Sequence, residues 1–257
     1  MLLAIDAGNT ETKIGCFERE RLAHTWRITT DARRTPDECS ALFAQLFGSE
    51  GVNARGVDAV VIASVVPKLD AALEAACAHT FGKSPVFLQP HRQTLMAVRT
   101  ERPREVGADL VAMAIGGRAG YGTPLIIVSY GTATVFMAIS ASGEYCGVAI
   151  APGIQVSIDA LVGRTAKLPQ VALETPKTAL GKNTIEALQA GIVYGFVGQT
   201  QALITRMRTE MGVDARVIAT GGLAEIVAKN CALIERVDPH LSLEGLRLFH
   251  ASVYPQP

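Results

Sequence analysis

The chain has 257 residues, 24 Lys+Arg against 24 Asp+Glu, 49% hydrophobic residues and only 5% aromatic ones. That length excludes a disulfide miniprotein or a disordered tail, and zero net charge with no basic cluster longer than Arg33-Arg34 leaves no footprint for nucleic acid. No apolar run approaches the roughly 18 residues of a membrane span, and Met1 to Ile5 meets Asp6 without the basic patch of a secretory signal.

In chain order, residues 2–6 and 11–17 read as strands around a Gly-Asn turn, and 22–29 continues the meander. Thr35-Pro36 announces a helix over 37–46. A buried strand at 57–64 and a helix at 67–81, stopped by Gly82, lead to a short strand at 86–88. A Pro- and charge-rich connector, 99–105, opens a small-residue helix at 108–118. Strands at 125–128, 133–139 and 145–150 follow, then a long helix at 183–211 with more than one apolar stripe, which must bury a second side. A strand at 216–219, a Gly221-Gly222 turn and a final helix–strand–helix stretch complete an α/β pattern.

The pattern restarts halfway. Ile5-Asp6-Ala7-Gly8-Asn9-Thr10 and Val128-Ser129-Tyr130-Gly131-Thr132-Ala133 share one outline of strand, short polar residue, Gly, Thr and second strand, which predicts a duplicated fold. The division expected is 1–120, with a phosphate loop, and 121–257. Cys16, Cys39, Cys77, Cys146 and Cys231 are odd in number and widely spaced, and read as free buried thiols of a cytoplasmic protein. His24, His79, His91, His240 and His250 have no metal-ligand spacing.

Asp6-Ala7-Gly8-Asn9-Thr10-Glu11-Thr12-Lys13 combines a tight turn, neutral donors and a cation, which suits phosphate, and Asp6 at a strand end can hold hydrated Mg²⁺. The same segment also suits a plain hairpin. Gly131, Thr132 and Thr134 offer a second phosphate clasp, headed by Ser129 in place of a carboxylate. Gly107-Ala108-Asp109 opens a helix, where Asp109 is either a first-turn acid or a positioned base for phosphoryl transfer. Walker and Gly-x-Gly-x-x-Gly patterns are absent from the sequence.

Asp6 to Thr10, Gly107 to Asp109, Gly131 to Thr134, Ala151-Pro152-Gly153, Pro176-Lys177 with Gly181 to Thr184, and Thr220-Gly221-Gly222 together resemble, in order and spacing, the type III pantothenate kinases. The resemblance implies a duplicated ribonuclease-H-like fold of the actin and sugar-kinase kind, an ATP cleft between two lobes, and a homodimer. It also implies phosphorylation of the primary hydroxyl of pantothenate with ATP, Mg²⁺ and a monovalent cation such as K⁺ or ammonium. On this resemblance Asp6 through Lys13 and Thr132 contact ATP, Asp109 is the base, Gly107, Ala108 and Asp109 line the acceptor pocket, and Thr184 reaches the site of a partner subunit.

Three positions depart from the family pattern, all on the acceptor or cation side. Leu110 stands where the family has Arg, Ser129 where it has the Asp that holds the monovalent cation, and Thr100 where a Tyr is common. Arg102 and Arg104 in the connector are the cations available to replace the arginine. These departures keep two rivals in view: a kinase of the same fold for another small alcohol, and a non-catalytic nucleotide-binding or regulatory homologue.

Overall fold

The computed structural model describes residues 1–254. Contacts divide the chain into two compact units, one comprising Met1–Ala119 and the chain from Leu241 onward, the other Gly120–His240. In the first unit, β1 (Leu2–Ala7), β2 (Glu11–Glu18) and β3 (Arg21–Thr29) form an antiparallel meander. Strands β4 (Ala59–Ser64) and β5 (Val86–Phe87) extend it in parallel, giving the order β3-β2-β1-β4-β5.

Two helices cover one face. In α1 (Pro36–Ser49), Thr35 and Glu38 form a reciprocal capping box that satisfies two amide donors of the first turn. Helix α2 (Pro67–Phe81) ends at Gly82, whose φ of 70° is the left-handed conformation that glycine adopts without penalty. Leu3, Ile5 and Ala7 of β1 pack there with Phe43, Phe47, Leu73, Cys77 and Phe81. Side chains alternate along a strand, so Asp6 points to the opposite face. Helices α3 (Ala108–Tyr121) and α7 (Leu241–Val253) complete this unit, with α7 packed on β1, β4 and β2.

The second unit repeats the sheet strand for strand. Strands β6 (Leu125–Tyr130), β7 (Ala133–Ile139) and β8 (Tyr145–Pro152) form the meander. Strand β9 (Arg216–Thr220) pairs in parallel with β6, and β10 (Arg236–Val237) with β9, giving the order β10-β9-β6-β7-β8. Asp6 and Ser129 occupy equivalent places, each one residue before the end of the central strand. Helix α5 (Thr184–Met211) buries Leu188, Val193, Val197 and Ile204, while Ile185 stays 52% exposed. Helices α4 (Ile154–Gly163) and α6 (Ala224–Ala228) pack on the same core.

Four features differ from the sequence reading. Helix α4 was not expected, and β6 runs on through Ser129 and Tyr130, because ladder hydrogen bonds belong to the backbone. The last helix joins the first unit rather than the second, because its stripe of Leu241, Leu243, Leu246 and Phe249 needs an apolar face and finds it beside β1. Cys146 is exposed, unlike the other four thiols. Among the described residues, no helix is long and apolar enough to cross a membrane.

Candidate active site

Asp6 is 6% exposed, and its register partner across the first hairpin is Lys13. Directly opposed residues share a sheet face, which puts the Lys13 charge where it acts on the buried carboxyl. Burial raises the Asp6 pKa above the ordinary carboxylate value, while Lys13 and then the Ser242 hydroxyl pull it down and Glu11 pushes it up. Asp6 Oδ1 is buried with no hydrogen-bond partner in the protein.

The turn after Asp6 is tight. Gly8 N donates to Glu11 O at 3.1 Å, and a Cβ on Gly8 would stand 2.9 Å from that same oxygen. Ala7 is buried at the end of β1, and Asn9 and Thr10 form the exposed tip. Two of the expected phosphate contacts also bond within the sheet: Arg27 Nε donates to Glu11 at 2.9 Å, and the Thr12 and Thr30 hydroxyls bond at 2.8 Å.

Asp109 lies in the first turn of α3, half-buried. Its Oδ1 accepts the Leu110 N–H at 2.8 Å. A Cβ on Gly107 would collide with this Oδ1, so glycine there makes room for the carboxyl. Burial first, and then the Asp6 charge, push Asp109 up to about 6, against the opposing effects of the Leu110 and Asp109 amides and Lys13. Asp6, Lys13 and Asp109 therefore form one electrostatic group on the first unit. Ala108 is buried beneath them and Leu110 is half-buried beside Asp109. Thr100 is half-buried with its hydroxyl oxygen lacking a hydrogen-bond partner, and Arg102 is held at the surface by Glu105 at 3.0 Å.

The remaining predicted residues belong to the second unit. Ser129 is half-buried next to Thr220 of β9, whose Oγ1 is buried and unbonded. Thr132 is exposed at the turn and its carbonyl accepts from Gly153 N at 3.1 Å. Thr134 is fully buried and donates to Pro152 O at 3.2 Å, which is a structural role. Gly221, with φ of 96°, lies where a Cβ would strike the Tyr130 carbonyl, so the Gly-Gly turn sits directly on the end of β6. Thr184 is exposed as the first residue of α5, beside Asn183, which caps Glu186 N at 3.0 Å.

Ser242, 1% exposed on α7 and acting on the Asp6 carboxyl, was not singled out in the sequence. The available signal was a lone hydroxyl on the buried stripe Leu241, Ser242, Gly245, Leu246 and Phe249.

The donor set suits a hard divalent cation: carboxylate oxygens, one of them buried and unbonded, with no soft ligand required. Among the described residues no cluster of three or more His, Cys, Asp or Glu forms, so a cation at Asp6 would keep most of its water. Gly8 itself is turned into the hairpin, its N–H bonded to Glu11 O, so the exposed tip at Asn9 and Thr10 is the part of the turn open to a phosphate.

Comparison with known proteins gives a consistent result. The sequence model of the type III pantothenate kinase family matches residues 2–206. A type III pantothenate kinase from Moorella thermoacetica is 47% identical over 250 residues, covering 97% of this chain and 98% of the relative. Another from Anaeromyxobacter sp. (strain K) is 46% identical with the same coverage. Among solved structures, a protein assigned as a 2-dehydro-3-deoxygalactonokinase from Sinorhizobium meliloti aligns with a TM-score of 0.64 over 100% of this chain and 98% of its own, at 12% identity, which speaks for the fold alone. The repeated strand order and this likeness make the architecture an α/β fold of duplicated ribonuclease-H-like halves. On the family match and the near-half identity along almost its whole length, the chain belongs to the type III pantothenate kinase family.

Proposed function

We propose that this protein phosphorylates the primary hydroxyl of pantothenate with ATP as donor, yielding 4′-phosphopantothenate in the first step toward coenzyme A. The observation that carries the reading is the Asp109 carboxyl, half-buried beside Asp6 and pushed up to about 6. Such a group is mostly ionised at neutral pH yet more basic than an ordinary aspartate, as a general base requires.

In this reading Asp109 receives the proton of the attacking hydroxyl, and Gly107 leaves the space in which its carboxyl turns toward the acceptor. The turn from Gly8 to Thr10 presents backbone to phosphate, with Lys13 as counter-charge. Asp6 would hold hydrated Mg²⁺, which supplies charge neutralisation for phosphoryl transfer. The first unit thus carries the phosphate loop and base, and Thr132 is the nucleotide contact assigned within the second unit. Ser129 brings no carboxylate, so the reading assigns K⁺ or ammonium no charged ligand there.

We further assign a homodimer built on the second unit. Val148, Ile150, Val156, Leu161 and Ile185 all expose apolar surface on β8, α4 and α5, with Ile150 68% exposed on an edge strand. Gly191, Gly195 and Gly198 of α5 have open space where a side chain would stand, which favours close approach of another backbone. Thr184, also exposed on this helix, would then reach the neighbouring acceptor pocket. The four buried free thiols fit a reducing cytoplasm.

The test is coupled ADP release with pantothenate. Turnover that disappears in Asp109→Asn, while the variant still binds nucleotide, supports the reading. ATP binding with no turnover on pantothenate rejects it and leaves another small alcohol or a non-catalytic role.

A further inference from the structure

Helix α7, the last element of the chain, is built into the ground beneath Asp6. It approaches closely because two glycines face its contact with α3: a Cβ on Gly245 would strike the Ala112 carbonyl, and one on Gly116 the Leu241 carbonyl. Gly15 of β2 similarly makes way for Leu243, whose Cδ1 lies 2.9 Å from where a Cβ would be. Three close approaches around one helix turn fix the placement of its first residues.

Among those residues Ser242 is buried, and its Oγ has no hydrogen-bond partner in the protein. The same holds for Asp6 Oδ1. Helix α7 packs on β1, which brings the Ser242 hydroxyl to the Asp6 carboxyl that it acts on, yet Ser242 Oγ and Asp6 Oδ1 each lack a hydrogen-bond partner. Buried polar atoms are rarely left open, and two open ones side by side mark a place where a bound group completes the network.

We propose that Ser242 is a positioning residue of the active site, whose hydroxyl orients the Asp6 carboxylate for the hydrated divalent cation. This rests on the reading of Asp6 as the cation's carboxylate. The chain's last helix then serves the phosphate loop at its first turn, and Ser242 acts through Asp6 without touching the acceptor.

The experiment compares Ser242→Ala, Ser242→Thr and the control Ser252→Ala with the unsubstituted protein. Half-saturating Mg²⁺ in the ADP-release assay is measured alongside calorimetric ADP binding with and without Mg²⁺. Ser242→Ala is expected to raise half-saturating Mg²⁺ about tenfold, with a smaller effect on kcat at saturating metal. It should also lose most of the gain in ADP affinity that Mg²⁺ confers, while binding ADP alone as before. Ser242→Thr restores both, and Ser252→Ala changes neither. Unaltered Mg²⁺ dependence in Ser242→Ala, whatever its melting temperature, overturns the proposal.

The calorimetric arm needs no turnover. If the unsubstituted protein binds Mg²⁺–ADP but transfers no phosphate to pantothenate, the kinase reading fails while the role of Ser242 is still decided. If Mg²⁺ adds nothing to ADP binding in the unsubstituted protein, Asp6 is not the cation's carboxylate and the role of Ser242 falls with it.

Discussion

Asp109→Asn should make the protein more stable while abolishing its activity. A rise from 3.8 to about 6 means that the folded state disfavours the charged Asp109, by about 3 kcal/mol once both states are ionised. Asp109 keeps some solvent contact, so about 1–3 kcal/mol is the expected gain on removing the charge. Asparagine retains the Oδ1 acceptor for the Leu110 N–H, so the local hydrogen bond survives. Removing the Asp109 charge also relieves Asp6, its neighbour in the same buried group. At about 2–4 °C per kcal/mol for a protein of this size, the melting temperature should rise by about 2–12 °C.

The pH dependence identifies the cause. Below the unfolded value of 3.8 the carboxyl is protonated in both states and contributes nothing. As pH rises from there to about 6, the unfolded chain ionises first and the parent loses stability, with the full penalty present above about 6. The advantage of Asp109→Asn should therefore be absent near the bottom of that window, grow through it and stay constant above. Thermal melts of both proteins across the range provide the measurement. A variant no more stable than the parent at pH 8, or one equally advantaged at both ends of the range, would refute the reasoning.

The rate should follow the same group: kcat/KM should fall about tenfold per pH unit below about 6, and a profile flat down to pH 5 would remove Asp109 as the base. Leu110 brings no charge to the pantothenate carboxylate, so Leu110→Arg should lower KM for pantothenate by about tenfold or more with little change in kcat; an unchanged KM would place that carboxylate elsewhere. Gly245→Ala drives a methyl into the Ala112 carbonyl and should cost about 1–3 kcal/mol in urea unfolding, and a neutral result would deny the α3–α7 contact. Ile150→Asp, on the exposed edge strand β8, should convert dimer to monomer by light scattering, whereas an unchanged mass would move the interface elsewhere.

Much of the fold was legible because local chemistry and tertiary context agree. Thr35-Pro36 and Gly82 mark helix ends that the structure places where those residues act, with Gly82 left-handed. The two hairpins signal a duplication that the identical strand orders bear out. Helix α4 was hidden because Gly153 gives it no side-chain cap and Val156 and Leu161 remain exposed, which blurs its apolar period. The destination of α7 was hidden for a different reason. Nothing local tells a stripe of Leu241, Leu246 and Phe249 which sheet it will cover; Gly116 and Gly245 decide it, and they lie far apart in sequence. Ser242 shared that obscurity, since its meaning depends on Asp6 at the other end of the chain. Asp109 was visible as a candidate, but its burial beside Asp6, which favours a base over a helix-capping acid, is a tertiary feature that no local pattern shows.

The most direct test of the account is phosphorus NMR of the products formed from ATP, Mg²⁺ and pantothenate. A new phosphomonoester on the primary hydroxyl of pantothenate, formed with ADP in equal amount and absent with Asp109→Asn, is the predicted result. No phosphomonoester from a folded protein that binds ATP, or one formed equally well by Asp109→Asn, would contradict it.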